Sequence, residues 1–278
     1  MKQDYVNLYA YFSLPAPAGA AGTLQVYLPH IADNRNILRP AVLVIPGGGY
    51  HNVSQRESEP VALHFLTQGY CAFILTYSCS PHRFPVALQE AAMAMAYIRQ
   101  NAADFQIDPC MIAAVGFSAG GHLCGCLGTM YDCPETKQLA LPCSARPDAL
   151  GLCYPVAISW GKTHEGSFRA LAQEDEALKA RLSLDKQVHK DMPPVYLWHT
   201  RNDGVVPVRN SLVLAAALEE AGVDFAMHIY PNGPHGLSTA DETVYTVLPQ
   251  FSADIPNWLR EMLGFFREKG FQLHKPVE

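Results

Sequence analysis

The sequence predicts an α/β fold, a mostly parallel central sheet with helices on both faces. Short apolar runs of β type alternate along the chain with longer helical patterns, the rhythm of parallel strands joined by crossover helices. Some of these runs, Met111-Ile112-Ala113-Ala114-Val115 above all, are continuously apolar, as a strand covered on both sides must be. The 278 residues suffice to bury one large core. No internal repeat, low-complexity tract or Gly/Ser linker divides them, so the chain reads as one domain over 1–278.

The strands expected are 23–28, 41–45, 71–76, 111–115, 149–153, 195–199 and 225–230. Helices are expected at 59–68, 85–101, 119–130, 209–221 and 255–269. The first opens on Glu59-Pro60, and proline is tolerated in a first turn, where its missing N–H would have no acceptor anyway. In the second, Val86, Ala87, Glu90, Ala91, Ala94, Tyr97 and Ile98 share one stripe at three-to-four spacing, which assigns that stripe to the core. The third, from Ala119, is built of small residues. One segment breaks the rhythm. Between two strands, residues 155–191 form an insertion in which Phe168, Leu171, Leu178 and Leu182 stand at helical spacing. It reads either as a partial lid over a site or as a surface helix capping a sheet edge.

Composition excludes several functions. The formal charge is −6 and no block of consecutive Lys or Arg occurs, so nucleic acid is not an expected partner. The first residues lack the apolar core of a signal peptide, and no run approaches the length of a membrane span; a cytoplasmic location and no membrane partner are expected. Eight cysteines are too sparse for a disulfide scaffold. Cys71, Cys110, Cys124, Cys126 and Cys153 fall within apolar patterns and read as small core residues. Cys124, Cys126 and Cys133 lack a second pair at zinc-ligand spacing, so no metal is expected.

The chemistry concentrates at Gly116-Phe117-Ser118-Ala119-Gly120-Gly121, between an apolar strand and a helix. The chain must turn sharply at Ser118, and glycines at 116 and 120 remove the β-carbons that would clash in the turn. A serine hydroxyl is a poor nucleophile at neutral pH and needs a base, which in turn needs an orienting group. Functional groups in an open parallel sheet gather past the carboxyl ends of strands. There the sequence offers Asp203, on the loop after strand 195–199, and His235, on the loop after strand 225–230. His122, on the helix after the serine, reads as a packing or local capping residue. After strand 41–45 comes Pro46-Gly47-Gly48-Gly49-Tyr50, a loop able to present N–H groups to an oxyanion. The amides of Gly48, Gly49 and Ala119 are the expected donors, and Tyr50 is a candidate substrate contact. A phosphate-binding reading of this glycine loop is disfavoured, since the loop neither follows G-x-G-x-x-G nor ends in G-K-[ST].

Together these residues resemble the α/β-hydrolase superfamily, and more narrowly its small serine esterases related to acetyl-xylan esterases and feruloyl-esterase-like carbohydrate esterases. The likeness runs from about Thr23 to Phe266. It rests on Ile45-Pro-Gly-Gly-Gly-Tyr50, Arg56-Glu57-x-Glu59-Pro60, Gly116-Phe-Ser-Ala-Gly-Gly-His-Leu123, Met192-Pro-Pro-Val-Tyr-Leu-Trp-His199 with Asp203 and Val206-Pro207, and Pro231-x-Gly-x-His235-Gly236. It implies an α/β-hydrolase fold, a catalytic triad of Ser118, Asp203 and His235, no metal or organic cofactor, and a short-acyl ester or acetylated carbohydrate as substrate. Two other readings share the pattern: a serine peptidase of prolyl-oligopeptidase type, and a non-catalytic hydrolase fold reused for binding. The sequence does not fix the oligomeric state.

Overall fold

Eight strands form one sheet in the order β1-β2-β4-β3-β5-β6-β7-β8. They are β1 (Lys2–Asn7), β2 (Thr23–Leu28), β3 (Arg39–Ile45), β4 (Cys71–Thr76), β5 (Ile107–Phe117), β6 (Ala149–Cys153), β7 (Val195–Thr200) and β8 (Phe225–Tyr230). The computed structural model describes residues 1–30 and 37–275. From β4 to β8 all neighbours are parallel, while β2 pairs antiparallel with both β1 and β4. This is the mostly parallel α/β architecture expected.

The alternation of side chains along each strand divides the core in two. On β3, Ala41, Leu43 and Ile45 pack to one face with the helices Val86–Gln100, Ala119–Met130 and Arg209–Glu220. Val42 and Val44 pack to the other, with Glu59–Thr67 and Trp258–Glu268. The Ala119–Met130 helix is buried along its whole length. Its small residues make that fit: the side chain of Leu184 closes on Gly125 and that of Leu150 on Gly128.

Several details depart from the sequence reading. β1 was not expected, because five of its six residues are exposed and its pairing to β2 is carried by the backbone. β5 begins at Ile107, paired with Arg39, rather than at residue 111. Residue Cys110 lies on that extension and is exposed, which corrects its assignment to the core; Cys71, Cys124, Cys126 and Cys153 are buried, and all eight thiols are free. The stripe on Val86–Gln100 understates the helix, since Ala92, Met93, Met95 and Ala96 are buried as well while Val86 is only half-buried. The last helix is preceded by a separate 3-10 turn, Ile255–Asn257. The 155–191 insertion folds into two short helices, Glu165–Ala172 and Glu176–Arg181, and a 3-10 turn, Leu184–Lys186. Phe168, Leu171 and Leu182 are buried, and Leu178 is half-buried. No helix among the described residues is long and apolar enough to cross a membrane.

Candidate active site

Four strand ends on the carboxyl edge of the sheet supply the candidate site. β3 leads into the glycine loop at Gly47 to Gly49, and its neighbour β5 leads into Ser118, with Ile45 in register with Gly116. β7 leads to Asp203, and β8, paired to it from Val195 to Thr200, leads to His235.

The turn at Ser118 is strained. The residue has φ 53° and ψ −118°, a backbone state that a side chain rarely adopts, and it presents its hydroxyl at the mouth of the Ala119–Met130 helix. The turn closes because Gly120 lacks a side chain: a β-carbon there would lie 2.2 Å from the Ile45 carbonyl oxygen and 2.3 Å from that of Pro46. Ser118 N–H donates to the Cys153 carbonyl (3.0 Å), and its own carbonyl accepts from Val156 N–H (3.1 Å), which fixes the turn to the end of β6.

Ser118, His235 and Asp203 meet. His235 Nε2 lies 2.8 Å from Ser118 Oγ, and His235 Nδ1 lies 2.6 Å from Asp203 Oδ2. An ionised carboxylate only accepts, so Nδ1 carries the proton and Nε2 is left to accept from the serine hydroxyl. Asp203 is buried. Burial alone would raise its pKa, but the bonds from His199 and His235 and the Val205 N–H outweigh it and hold the carboxyl well below the usual carboxylate range. Its Oδ1 accepts from the N–H groups of Val205 (2.8 Å) and Val206 (2.9 Å).

Sequence reasoning missed His199. This fully buried imidazole stands with Nε2 2.8 Å from the Val206 carbonyl and 3.3 Å from Asp203 Oδ2, while Nδ1 takes the Ser211 hydroxyl at 2.7 Å. Its place as the inward-facing residue near the end of β7, four positions before Asp203, was the only available signal.

The glycine loop is held by its own backbone. Gly48 has φ +128°, and its carbonyl accepts from His51 N–H (3.0 Å) and Asn52 N–H (3.2 Å). Ala119 is the first residue of its helix, where N–H groups have no intrahelical acceptor. Gly48, Gly49, Ser118 and His235 line one groove of about 550 Å³, together with His51, Asn52, Arg56, His164 and Val205.

His164 comes from the 155–191 insertion. Its Nδ1 is bound to Ser167 Oγ at 2.9 Å, and burial, then the neighbouring His235 and His51, lower its pKa. The insertion is anchored on His122, whose ring packs against Phe168 and donates from Nε2 to the Leu182 carbonyl (2.7 Å). Tyr50 does not fit its expected role. Its ring is buried between Tyr77 and His122, and its hydroxyl meets His122 Nδ1 at 2.8 Å, so the side chain is directed into the core and away from the groove. The positive φ of 61° at Tyr50 accompanies this inward turn. Among the described residues, no group of three or more His, Cys, Asp or Glu is placed to hold a metal ion.

The model of the prolyl oligopeptidase family matches residues 89–266, and that of the BD-FAE family matches residues 24–143. The chain is 38% identical to endo-1,4-beta-xylanase B of Butyrivibrio fibrisolvens over 84% of its own length and 38% of that protein's. It is 28% identical to the acetylxylan esterase of Xylanibacter ruminicola over 90% of its own length and 50% of that protein's. It thus spans half or less of these two curated relatives. Among solved structures, the acetyl ester-xyloside bifunctional hydrolase of Caldicellulosiruptor lactoaceticus is 36% identical, with a TM-score of 0.84, covering 96% of this chain and 97% of that one. The carboxylesterase Cest-2923 of Lactobacillus plantarum is 25% identical, with a TM-score of 0.81, covering 97% and 98%. With the prolyl oligopeptidase family model matched over more than half its length and a near full-length structural relative, the chain belongs to the prolyl oligopeptidase family of the α/β-hydrolase superfamily.

Proposed function

We propose that the chain is a serine esterase that cleaves short-acyl esters, acetyl above all, from sugars or xylo-oligosaccharides. His235 takes the Ser118 proton as the hydroxyl attacks the ester carbonyl, and Asp203 holds the imidazole in the productive tautomer. The oxyanion is met by the amides of Gly48, Gly49 and Ala119. Transfer of the proton to the departing sugar oxygen leaves an acyl-enzyme, which water then hydrolyses by the same route.

The observation that carries this reading is the contact series from Ser118 Oγ through His235 to Asp203, at 2.8 and 2.6 Å, beside a glycine loop. The polar lining of the groove supports a hydroxyl-rich alcohol half: His51, Asn52, Arg56 and His164 all border it. The names of the relatives, an acetylxylan esterase and an acetyl ester-xyloside hydrolase, point the same way.

The match to the prolyl oligopeptidase family keeps peptide hydrolysis as the second reading. A series of aryl esters from acetyl to octanoyl, run beside acetylated xylo-oligosaccharides and a peptide amide, tests both. Acetyl substrates should be fastest, with the oligosaccharide ahead of simple acetates. Preference for octanoyl removes the acetyl assignment, and faster cleavage of the amide reverses the order of the two readings. Covalent labelling of Ser118 by a fluorophosphonate separates either enzyme from a binding protein.

A further inference from the structure

We infer that Glu57 is a positioning residue for this reaction, a buried carboxylate that fixes the glycine loop and the histidine loop in one geometry. The inference rests on the proposed roles of Ser118, His235 and the glycine-loop amides. Glu57 is 3% exposed, yet no lysine or arginine pairs with it among the described ion pairs. A buried carboxylate is costly unless its oxygens are satisfied, so its partners indicate why it is there.

Among the described residues each oxygen has one partner, and the partners belong to different parts of the site. Oε2 accepts from Gly47 N–H at 2.8 Å. The carbonyl of the same peptide unit, that of Pro46, accepts from the buried Tyr77 hydroxyl at 2.8 Å. The Pro46–Gly47 peptide is therefore gripped at both ends, which leaves it no freedom to rotate. The carbonyl of Gly47 is bound in turn by Ser54 N–H (2.9 Å). Among the described residues, the backbone acceptors of this loop leave the N–H groups of Gly48 and Gly49 unclaimed, at the groove.

Oε1 reaches the other loop. It accepts from the Tyr154 hydroxyl at 2.8 Å, and that oxygen accepts from Ser238 N–H at 2.9 Å, three residues past His235. The Tyr154 ring also meets the His235 ring edge-on, with centroids 5.1 Å apart. Burial first, then the Glu57 charge, hold the Tyr154 phenol far from ionisation, so it stays a donor. A second tie runs parallel, from Ser238 Oγ to the Arg56 carbonyl at 2.5 Å. One carboxylate thus links the loop that offers oxyanion donors to the loop that carries the base.

The chemistry explains why a carboxylate occupies this position. Two donors converge on it, an N–H and an O–H, each on its own oxygen, and a carboxylate accepts both. Glutamine keeps one bond and sets an NH2 against the other donor. Alanine releases both loops, and the donors lose the alignment on which oxyanion stabilisation depends.

The test compares Glu57→Ala and Glu57→Gln with the parent enzyme on an acetyl aryl ester, well below each variant's melting temperature. The readouts are kcat, KM and the affinity for an alkylboronic acid, which forms a tetrahedral adduct on the serine. Glu57→Ala should lower kcat by about 10–100-fold, within the range set by oxyanion donors, with KM changed less than about threefold. Boronate affinity should fall in proportion to kcat, and Glu57→Gln should fall in between. A purely structural role lowers melting temperature without this proportionality. Values of kcat within twofold of the parent, or a fall in kcat with unchanged boronate affinity, overturn the inference; if Glu57→Ala does not fold, Glu57→Gln decides by the same criteria. Ser118→Ala is the separating control: if it keeps turnover, the proposed mechanism has failed, and if it alone loses turnover, only the role of Glu57 has.

Discussion

His199 and Asp203 form a second imidazole–carboxylate pair behind the one made by His235, with Nε2 3.3 Å from the same Oδ2 that His235 uses. This contact contributes to holding the Asp203 carboxyl low. A carboxyl depressed in the folded state contributes stability that is present above its unfolded pKa, near 3.9, and is lost as pH falls below that value. His199→Ala should weaken that contribution, so acid unfolding should begin at a higher pH than in the parent. The variant should also lose about 2–3 kcal/mol at neutral pH, from the cavity and the unpaired Ser211 and Val206 groups. Urea unfolding at a series of pH values measures both, and a stability loss of the same size at every pH would show that His199 acts by packing alone.

Ser118→Ala and His235→Ala should each reduce turnover by several orders of magnitude, and the double variant should be hardly worse than either, because the two side chains work as one unit through the 2.8 Å contact. Steady-state kinetics of the three proteins checks this. Losses that multiply would mean that each residue contributes independently.

His122 should make stability depend on pH from a distance. Burial lowers its pKa to about 4, with the Leu182 carbonyl opposing that shift. The unfolded chain, with an ordinary value near 6.5, takes up the proton first, so stability should fall as pH drops from 6.5 toward 4. The slope from this group is at most about 1.4 kcal/mol per pH unit. Urea unfolding at several pH values should show a flatter dependence for His122→Gln than for the parent; parallel curves would remove His122 as the source.

Two glycine substitutions should have opposite signs. Gly120→Ala sets a methyl group against two backbone carbonyls and should cost about 1–3 kcal/mol together with most activity. Gly264→Ala, inside the Trp258–Glu268 helix with open space around it, should add about 0.5–1 kcal/mol without affecting turnover. Chemical denaturation of the pair is the measurement, and a stabilised Gly120→Ala would contradict the tight turn described above.

The central strands were legible because they are covered on both faces and therefore apolar at nearly every position, as Ala41 to Ile45 are. β1 was not, because a strand paired through its backbone at an exposed edge carries no such pattern. Within the site, residues placed by strand ends could be read directly: Ser118, Asp203 and His235 each follow a strand by a few positions. What sequence order could not reveal were the partners that meet only after folding. Glu57 lay within a segment noticed by resemblance, but its contacts are 10 and 97 positions away, at Gly47 and Tyr154. Tyr50 was misread because adjacency to the glycine loop says nothing about which way a ring turns, and here His122 drew it inward.

Ser118 and His235 are separated by 117 positions in the chain, yet sit within one hydrogen bond of each other. No fragment holding either residue alone can assemble the pair, because it forms only when β5, β6, β7 and β8 stand side by side in the sheet. Hydrolysis is thus an all-or-none reporter of tertiary order: during denaturation, turnover should vanish in step with the most global spectroscopic signal, leaving no partly unfolded species that still works.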